Sequence, residues 1–365
     1  MGGKLTSQLP GWRWQHQVPV PPLGPVVKTT ETRQERKASD VRVVVTGGAG
    51  FIGSHLSEEL VRRGFEVVAL DDLSTGSLVN LEKLKDDPSF SLVEGSVLDE
   101  RLVRSVVSGS DCVVHLAAAV GVRLVMERPL ESFVRNVRGT EVVIGAAEEH
   151  GVKVMVASTS EVYGKNRAGV FSEEADFVYG PTSVTRWTYA LSKATDEVLA
   201  YYHYRERGLA TVIMRFFNTV GPRQSAEFGM VLPTFARQAI AGEPLTVFGD
   251  GTQTRCFCHV SDTVRAILAL MDDPGAVGGT FNIGSNEPVA IVDAARRVIE
   301  KTGSSSEIRF VPLDEAYGPG FEDIARREPD ISRIREMTGW EPTYGFEEIL
   351  DAIIEDVKVA TVTPR

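Results

Sequence analysis

The hydrophobic pattern of the chain changes period at regular intervals. Val41 to Val45 form a continuous β-branched run, the pattern of a parallel strand covered on both faces. Beyond Gly53, Leu56, Leu60 and Val61 recur at helical spacing, and Glu66 to Leu70 reads as a second strand. Further strands are predicted at Ser89 to Glu94, Cys112 to Leu116, Val152 to Val156 and Ala210 to Arg215. Helices are predicted between them at Asp99 to Val107, Pro129 to His150 and about Arg186 to Arg207. Repeated strand, helix, strand units predict an α/β fold with a doubly wound parallel sheet whose ligands sit at the C-terminal strand ends. After Gly221 the pattern loosens into shorter elements between glycine- and proline-containing loops, which suits a smaller C-terminal lobe. Residues 1–40 are expected to be a mostly disordered arm, 41–221 the nucleotide-binding domain, and 222–365 mainly a substrate-binding lobe with an interleaved boundary.

The turn after the first strand carries the first chemical signal. Gly47, Gly50 and Gly53 stand at G-x-x-G-x-x-G spacing and open the helix. Glycines there permit a tight turn, close approach of backbone to a pyrophosphate, and close packing of helix on strand. Free amides at the helix N-terminus face the phosphates. The second strand ends at Asp71, where an acid accepts a ribose 2′-hydroxyl and repels a 2′-phosphate, so NAD is favoured over NADP. Ala117, Ala118 and Ala119 follow the fourth strand, and small side chains there let backbone come close to a ligand. Tyr189 and Lys193 stand four apart on a predicted helix and share a face, about 6 Å apart along the axis. A nearby ammonium favours the phenolate that a tyrosine base requires.

Composition narrows the partners. With 365 residues, of which 42% are hydrophobic, two lobes or one large lobe with a cap are expected. The net charge of -11 and the lack of a long basic run argue against nucleic acid. No apolar stretch reaches the roughly eighteen residues of a membrane span. Cys112, Cys256 and Cys258 are too few and uneven for a disulfide framework, which fits a reducing cytoplasm. The segment T-R-C-F-C-H-V is read as one strand that sends His259 to the face opposite the cysteines, so no metal is expected. The N-terminal arm lacks the apolar segment of a signal peptide. Its Met1-Gly2 start with Thr6 formally meets a myristoylation pattern of the kind that chance produces. Trp12 and Trp14 are candidates for docking onto the body or a neighbouring subunit.

The combination of T-G-G-A-G-F-I-G, the strand-end T-S-E-V-Y-G, Y-x-x-x-K and F-F-N-T-V-G-P-R resembles the extended short-chain dehydrogenase/reductase family of nucleotide-sugar epimerases, dehydratases and decarboxylases, over about residues 41 to 355. The fold implied is a Rossmann sheet with a substrate lobe. Within the family, S-T-S-E-V-Y-G with R-W-x-Y-x-x-S-K, F-N-x-x-G-P-R and Q-T-R-C-F looks most like the UDP-glucuronate decarboxylases. By that resemblance Thr159, Tyr189 and Lys193 form the catalytic triad, and Ser160 and Glu161 lie beside the C5 carboxylate. Asn218 holds the sugar diphosphate, Arg255 the nucleotide end, and Arg327 reaches the sugar pocket, with Arg326 as the one-residue alternative; Arg223 joins the substrate set. The cofactor surface implied comprises Gly47, Gly50, Phe51, Ile52, Asp71, Asp72, Ser74, Thr75, Gly76, Ser96, Val97, Leu116, Ala117, Ala118, Tyr189 and Lys193. Gly95-Ser96-Val97 departs from the family, which commonly has an aspartate there for the adenine amino group.

The function implied is NAD-dependent decarboxylation of a UDP-glucuronate to UDP-xylose, to the 4-keto pentose, or to both. Oxidation at C4 makes the C6 carboxylate a β-keto acid, and Tyr189 and Thr159 are placed to stabilise the enolate left at the C4 oxygen. Glu161, or a water it orients, protonates C5. A UDP-hexose or UDP-glucuronate 4-epimerase on the same fold is the alternative, and a catalytically silent NAD-binding regulator is a third reading that the intact triad opposes. The helices at 129 to 150 and 186 to 206 are expected to supply a four-helix homodimer seam, unless their apolar faces are spent on the sheet.

Overall fold

The computed structural model describes residues 37–362 except 168, 227–228, 318–323 and 325. The expected arm, with Trp12, Trp14 and the Met1-Gly2 start, lies outside the described residues except at its end, where Ala38–Asp40 forms a short 3-10 turn.

From there the chain alternates through β1 (Arg42–Thr46), α1 (Phe51–Arg62), β2 (Glu66–Asp71), β3 (Phe90–Glu94), α2 (Glu100–Val107), β4 (Cys112–His115), α3 (Val122–Glu127), α4 (Pro129–His150) and β5 (Lys153–Thr159). It continues with β6 (Val170–Phe171), α5 (Arg186–Arg207), β7 (Thr211–Phe216), β8 (Thr219–Val220), α6 (Val231–Ala241), β9 (Leu245–Phe248), β10 (Thr254–Cys256), β11 (Cys258–His259) and α7 (Val260–Asp272). The last elements are β12 (Thr280–Ile283), β13 (Pro288–Ala290), α8 (Ile291–Thr302), β14 (Ile308–Val311), α9 (Leu313–Tyr317), β15 (Arg326–Pro329), α10 (Ser332–Thr338) and α11 (Phe346–Val362).

Seven strands form a parallel sheet in the order β12-β7-β5-β4-β1-β2-β3. The order reverses at β1, which lies between β2 and β4, and a ligand crevice opens at such a switch point. Alternation of side chains across the strand splits the core into two layers. Val43 and Val45 pack with Leu56, Leu60 and Ile267 on one face, and Val44 and Val68 with Val103, Val143, Ile144 and Ala147 on the other. The continuous valine runs are therefore buried on both sides, as their lack of polar alternation predicts. Asp99 accepts from the amides of Arg101 and Leu102, so it caps α2 rather than joining it.

The C-terminal part is woven into the sheet rather than appended to it. After leaving β7 the chain builds β9 and α6, then returns through α7 to add β12 beside β7. A separate apolar cluster, including Leu232, Phe235, Val247, Val298 and Leu350, holds α6, α8 and α11 together. The segment expected to be a single strand, T-R-C-F-C-H-V, is broken into β10 and β11, which belong to different sheets. The break falls at Phe257, whose ring is drawn into that cluster against Phe346 at 5.5 Å. Among the described residues no helix is long and apolar enough to cross a membrane.

Candidate active site

One cavity of about 1130 Å³ runs along the C-terminal ends of β1, β2, β4 and β5 and under the C-terminal elements. It exceeds the roughly 300–1,000 Å³ of a pocket for one small ligand, so it has room for a cofactor and a substrate together. Every sequence-predicted site residue lines it except Gly76. Gly76 instead packs under Asp71, where an added Cβ would come within 2.9 Å of the carboxylate.

The first half of the cavity is a dinucleotide cradle. Gly47 has φ +71, and a Cβ on it would stand 2.9 Å from the Ala117 amide nitrogen. A Cβ on Gly53 would lie 2.0 Å from the Gly47 carbonyl oxygen, so no larger residue fits between turn and helix. Gly50 precedes α1 with no side-chain cap, which leaves the first amides of a twelve-residue helix facing the cavity at Phe51 and Ile52. Asp71 is nearly buried, and its carboxylate accepts from the amides of Ala49 and Leu73 at 2.9 and 2.8 Å. Burial pushes its proton affinity up, against those amides. Asp71 thus fastens the glycine turn to the strand end while presenting itself to the cavity. Asp72 is paired with Arg135 of α4 at 3.3 Å, and Arg135 also donates to Ser74. Arg135 is a cavity residue that sequence reading missed, since it sits in a helix face with no motif. Ser96 lines the cavity, and its hydroxyl also accepts from the Leu98 amide.

The second half holds the reactive groups. Strand β5 delivers Thr159, and a single 3-10 turn, Ser160–Tyr163, follows at once with Thr159 as its cap. That turn places Ser160 and Glu161 at the strand end. The Tyr163 ring beneath it is fixed by a buried network: its hydroxyl donates to Asn282 at 2.7 Å and accepts from Arg215 at 2.9 Å, and Arg215 grips Glu197 through two bonds. Glu197 in turn accepts from Ser158 on β5, so β5, α5, β7 and β12 are locked around the site. Asn136 ties the strand-end alanines to the two long helices, accepting from the Ala119 amide and donating to Ser192.

Tyr189 projects from the first turn of α5 and is hydrogen-bonded to Thr159. Burial raises the Tyr189 proton affinity above the ordinary phenol value, and the carboxylates of Glu161 and Asp196 add to that rise, while the Thr159 bond lowers it. Lys193 is almost fully buried one turn on, with Nζ 2.7 Å from Asp196 Oδ2. The ammonium expected to favour the Tyr189 phenolate is thus itself paired with a buried acid, which offsets part of its charge.

Glu161 sits between two guanidinium groups, Arg186 Nη1 on one oxygen and Arg327 Nη1 on the other. Burial opposes its charge, but Arg186 and Arg327, with Arg255 farther off, outweigh burial and lower its pKa to about 2. The arginine pair thus favours the carboxylate form of Glu161, which suits orienting a water better than protonating C5 directly, the two roles expected for it. Arg255 and Arg327 are brought side by side because they are register partners in the parallel pair β10 and β15. Arg326, the one-residue alternative, is exposed and paired with Glu328. Arg186 was visible in R-W-T-Y but had no role assigned from sequence.

Two predicted substrate residues have additional ties. Asn218, at φ +39, donates through Nδ2 to the Cys256 carbonyl at 3.0 Å. Arg223, at φ +69, spends its guanidinium on Ser54 and Glu58 of α1, and its amide on Asp356 of α11, so it bridges the sheet's first helix to the C-terminal helix at the cavity wall. Cys256 and Cys258 are free, and burial pushes both thiols up to about 12. His259 accepts from the Ser261 amide and stacks on Tyr344. Among the described residues no cluster of three or more His, Cys, Asp or Glu could hold a metal ion.

The chain is similar in sequence and fold to known proteins. The model of the NAD dependent epimerase/dehydratase family matches residues 43–284. The UDP-N-acetyl-alpha-D-glucosaminuronate decarboxylase of Bacillus cytotoxicus is 42% identical over 315 residues, 86% of this chain and 97% of the relative. UDP-glucuronic acid decarboxylase 6 of Arabidopsis thaliana is 36% identical over 328 residues, 90% of this chain and 92% of the relative. The solved UDP-glucuronic acid 4-epimerase of Bacillus cereus, in complex with UDP-glucuronic acid and NAD, superposes with a TM-score of 0.78 at 27% identity, covering 87% of this chain and 99% of that one.

Proposed function

Since the chain belongs to the NAD dependent epimerase/dehydratase family, and NAD is its cofactor, we propose that it decarboxylates a UDP-hexuronate, with UDP-glucuronate as substrate and UDP-xylose, the UDP-4-keto-pentose, or both as product. The observation that carries this reading is the buried cluster of Arg186, Glu161 and Arg327. Two guanidinium groups on one carboxylate leave a net positive charge at the sugar end of a cavity in a chain of net charge -11. A buried site of that sign favours an anionic sugar over a neutral one.

The glycine turn and Asp71 would hold the pyrophosphate and ribose of NAD, which when bound accepts a hydride from the sugar's C4. Tyr189 takes the proton of the C4 hydroxyl, with its oxygen steadied by Thr159. The sugar is then a β-keto acid, and loss of carbon dioxide leaves an enolate at the C4 oxygen. Tyr189 and Thr159 donate hydrogen bonds to that oxygen. Glu161, held ionised, orients the water that protonates C5. Ser160, buried at the same strand end and lining the cavity, would face the substrate's carboxylate.

The similarity at 42% identity to an enzyme named for an N-acetylglucosaminuronate supports a second substrate, the 2-acetamido form, for the same reaction. The 4-epimerase reading shares the fold but keeps the carboxylate. Purified protein incubated separately with UDP-glucuronate, UDP-N-acetylglucosaminuronate and UDP-glucose decides among these by product mass. A hexuronate product lighter by the mass of carbon dioxide is expected; an isomer of unchanged mass would replace the reading with epimerisation.

A homodimer is part of the proposal. Leu130 and Val134 on α4, and Val198, Tyr201 and Tyr202 on the adjacent α5, are exposed, while the opposite face of α4 is spent on the sheet. Covering those side chains with the same helices of a second copy makes a four-helix seam. Light scattering is expected to give the mass of two chains, and a single-chain mass would remove the seam. The three free, buried cysteines support placing the protein in the cytoplasm.

A further inference from the structure

Asp196 takes no part in the chemistry above, yet it is wholly buried on α5, one turn beyond Lys193. A carboxylate at a buried helix position costs desolvation that an apolar residue would avoid, and burial does raise its proton affinity. Its charge is met by Lys193, whose Nζ lies 2.7 Å from Oδ2, with the Thr140 hydroxyl of α4 adding support. Both partners of the ion pair are out of solvent, so the interaction is screened far less than a surface pair.

Among the described residues, three other ionisable groups bear on the pair or on Tyr189. Glu197, the next residue on α5, is neutralised by Arg215. His115 of β4 lies between the hydroxyls of Thr46 and Thr140, and burial followed by the field of Lys193 lowers it to about 3, so it is neutral. Glu161, at the end of β5, also raises the Tyr189 proton affinity, ahead of Asp196, but it is held by Arg186 and Arg327 rather than by Lys193. The buried acid whose balance depends on Lys193 is therefore Asp196, on the same helix as Tyr189.

We infer that Asp196 acts on the reaction through Lys193: its carboxylate, paired with the ammonium on the helix that carries Tyr189, offsets part of that charge and so sets the pH at which Tyr189 can accept the substrate proton. The inference rests on Tyr189 acting as the base. Its sign is fixed: a negative charge near a phenol disfavours the phenolate, so removing it moves Tyr189 ionisation to lower pH. One charge acting across about 10 Å of protein interior amounts to about one pH unit.

The test is an NMR titration of NAD-saturated protein carrying tyrosine labelled at Cζ, with the Tyr189 signal assigned by its loss in Tyr189→Phe. Asp196→Asn is expected to titrate about one pH unit below the parent, and Asp196→Glu to titrate with the parent. If Asp196→Asn does not fold, Asp196→Ser supplies the same neutral comparison. Coincident titration of the neutral variant and the parent, with only a lower melting temperature, would overturn the inference, as would an upward shift. The titration needs no sugar, so it stands apart from the substrate assignment. A downshifted Tyr189 in a protein that leaves UDP-glucuronate untouched would support the inference and refute that substrate. Where UDP-glucuronate is turned over, the acid limb of kcat/KM is expected to move down with the NMR titration.

Discussion

Tyr189→Phe is expected to lower turnover by about 10²- to 10⁴-fold, the usual worth of one positioned acid or base, or about 2.7 to 5.4 kcal/mol of barrier. The substitution removes one oxygen from a buried ring and leaves the glycine turn, Asp71 and Lys193 in place, so NAD affinity is expected to stay close to the parent value. On the proposed mechanism the phenol oxygen serves twice: as phenolate it would take the C4 proton during oxidation, and, once protonated, it would donate to the C4 oxygen when carbon dioxide has left. Both steps should slow together, so no oxidised sugar accumulates. Steady-state turnover with product mass analysis, beside a fluorescence titration with NAD, measures the two quantities. Turnover near the parent level would remove Tyr189 from the mechanism; lost NAD binding would make its role structural.

The parts of this site that were legible in the sequence are those built by neighbours in the chain. The cradle is one strand, one turn and one helix, and its glycines announce themselves because any Cβ at Gly47 or Gly53 would collide with backbone. Tyr189 and Lys193 were legible for the same reason, being one helical turn apart. The strand-end Thr159 and Glu161 were found by motif, but the electrostatic state of Glu161 was not, because it depends on Arg186 and Arg327 from distant segments. Arg327 reaches it only through the pairing of β10 with β15, two strands of three and four residues that no periodicity reveals. Asp196 was invisible for a different reason. An acid three residues after a lysine on a helix ordinarily reads as a solvated surface pair, and only the packing of α5 against α4 and the sheet buries it. The split of T-R-C-F-C-H-V between two sheets was hidden in the same way, since the pull on Phe257 comes from Phe346 near the chain's end.

Glu161→Gln is expected to separate oxidation from decarboxylation. In the parent, Glu161 occupies both guanidinium groups that line the sugar end, and its pKa near 2 keeps it charged throughout the physiological range. Glutamine keeps the shape and removes the charge, so Glu161 no longer competes with the substrate's carboxylate for Arg186 and Arg327. That carboxylate must lose its charge as carbon dioxide departs, so tighter cationic binding stabilises the ground state more than the transition state. On the proposed mechanism the water that would deliver a proton to C5 also loses the acceptor that would align it. The variant should therefore bind UDP-glucuronate with a lower KM, reduce its bound NAD, and release carbon dioxide about 10²- to 10⁴-fold more slowly. Stopped-flow absorbance of the reduced nicotinamide, read beside carbon dioxide release from the same sample, measures both steps. Equal slowing of both steps with a lower melting temperature would make Glu161 a structural acid whose loss loosens the arginine pair. Release of carbon dioxide at the parent rate would show that the charge between Arg186 and Arg327 has no part in breaking the carbon bond, and the role of Glu161 in orienting the C5 proton donor would fall with it.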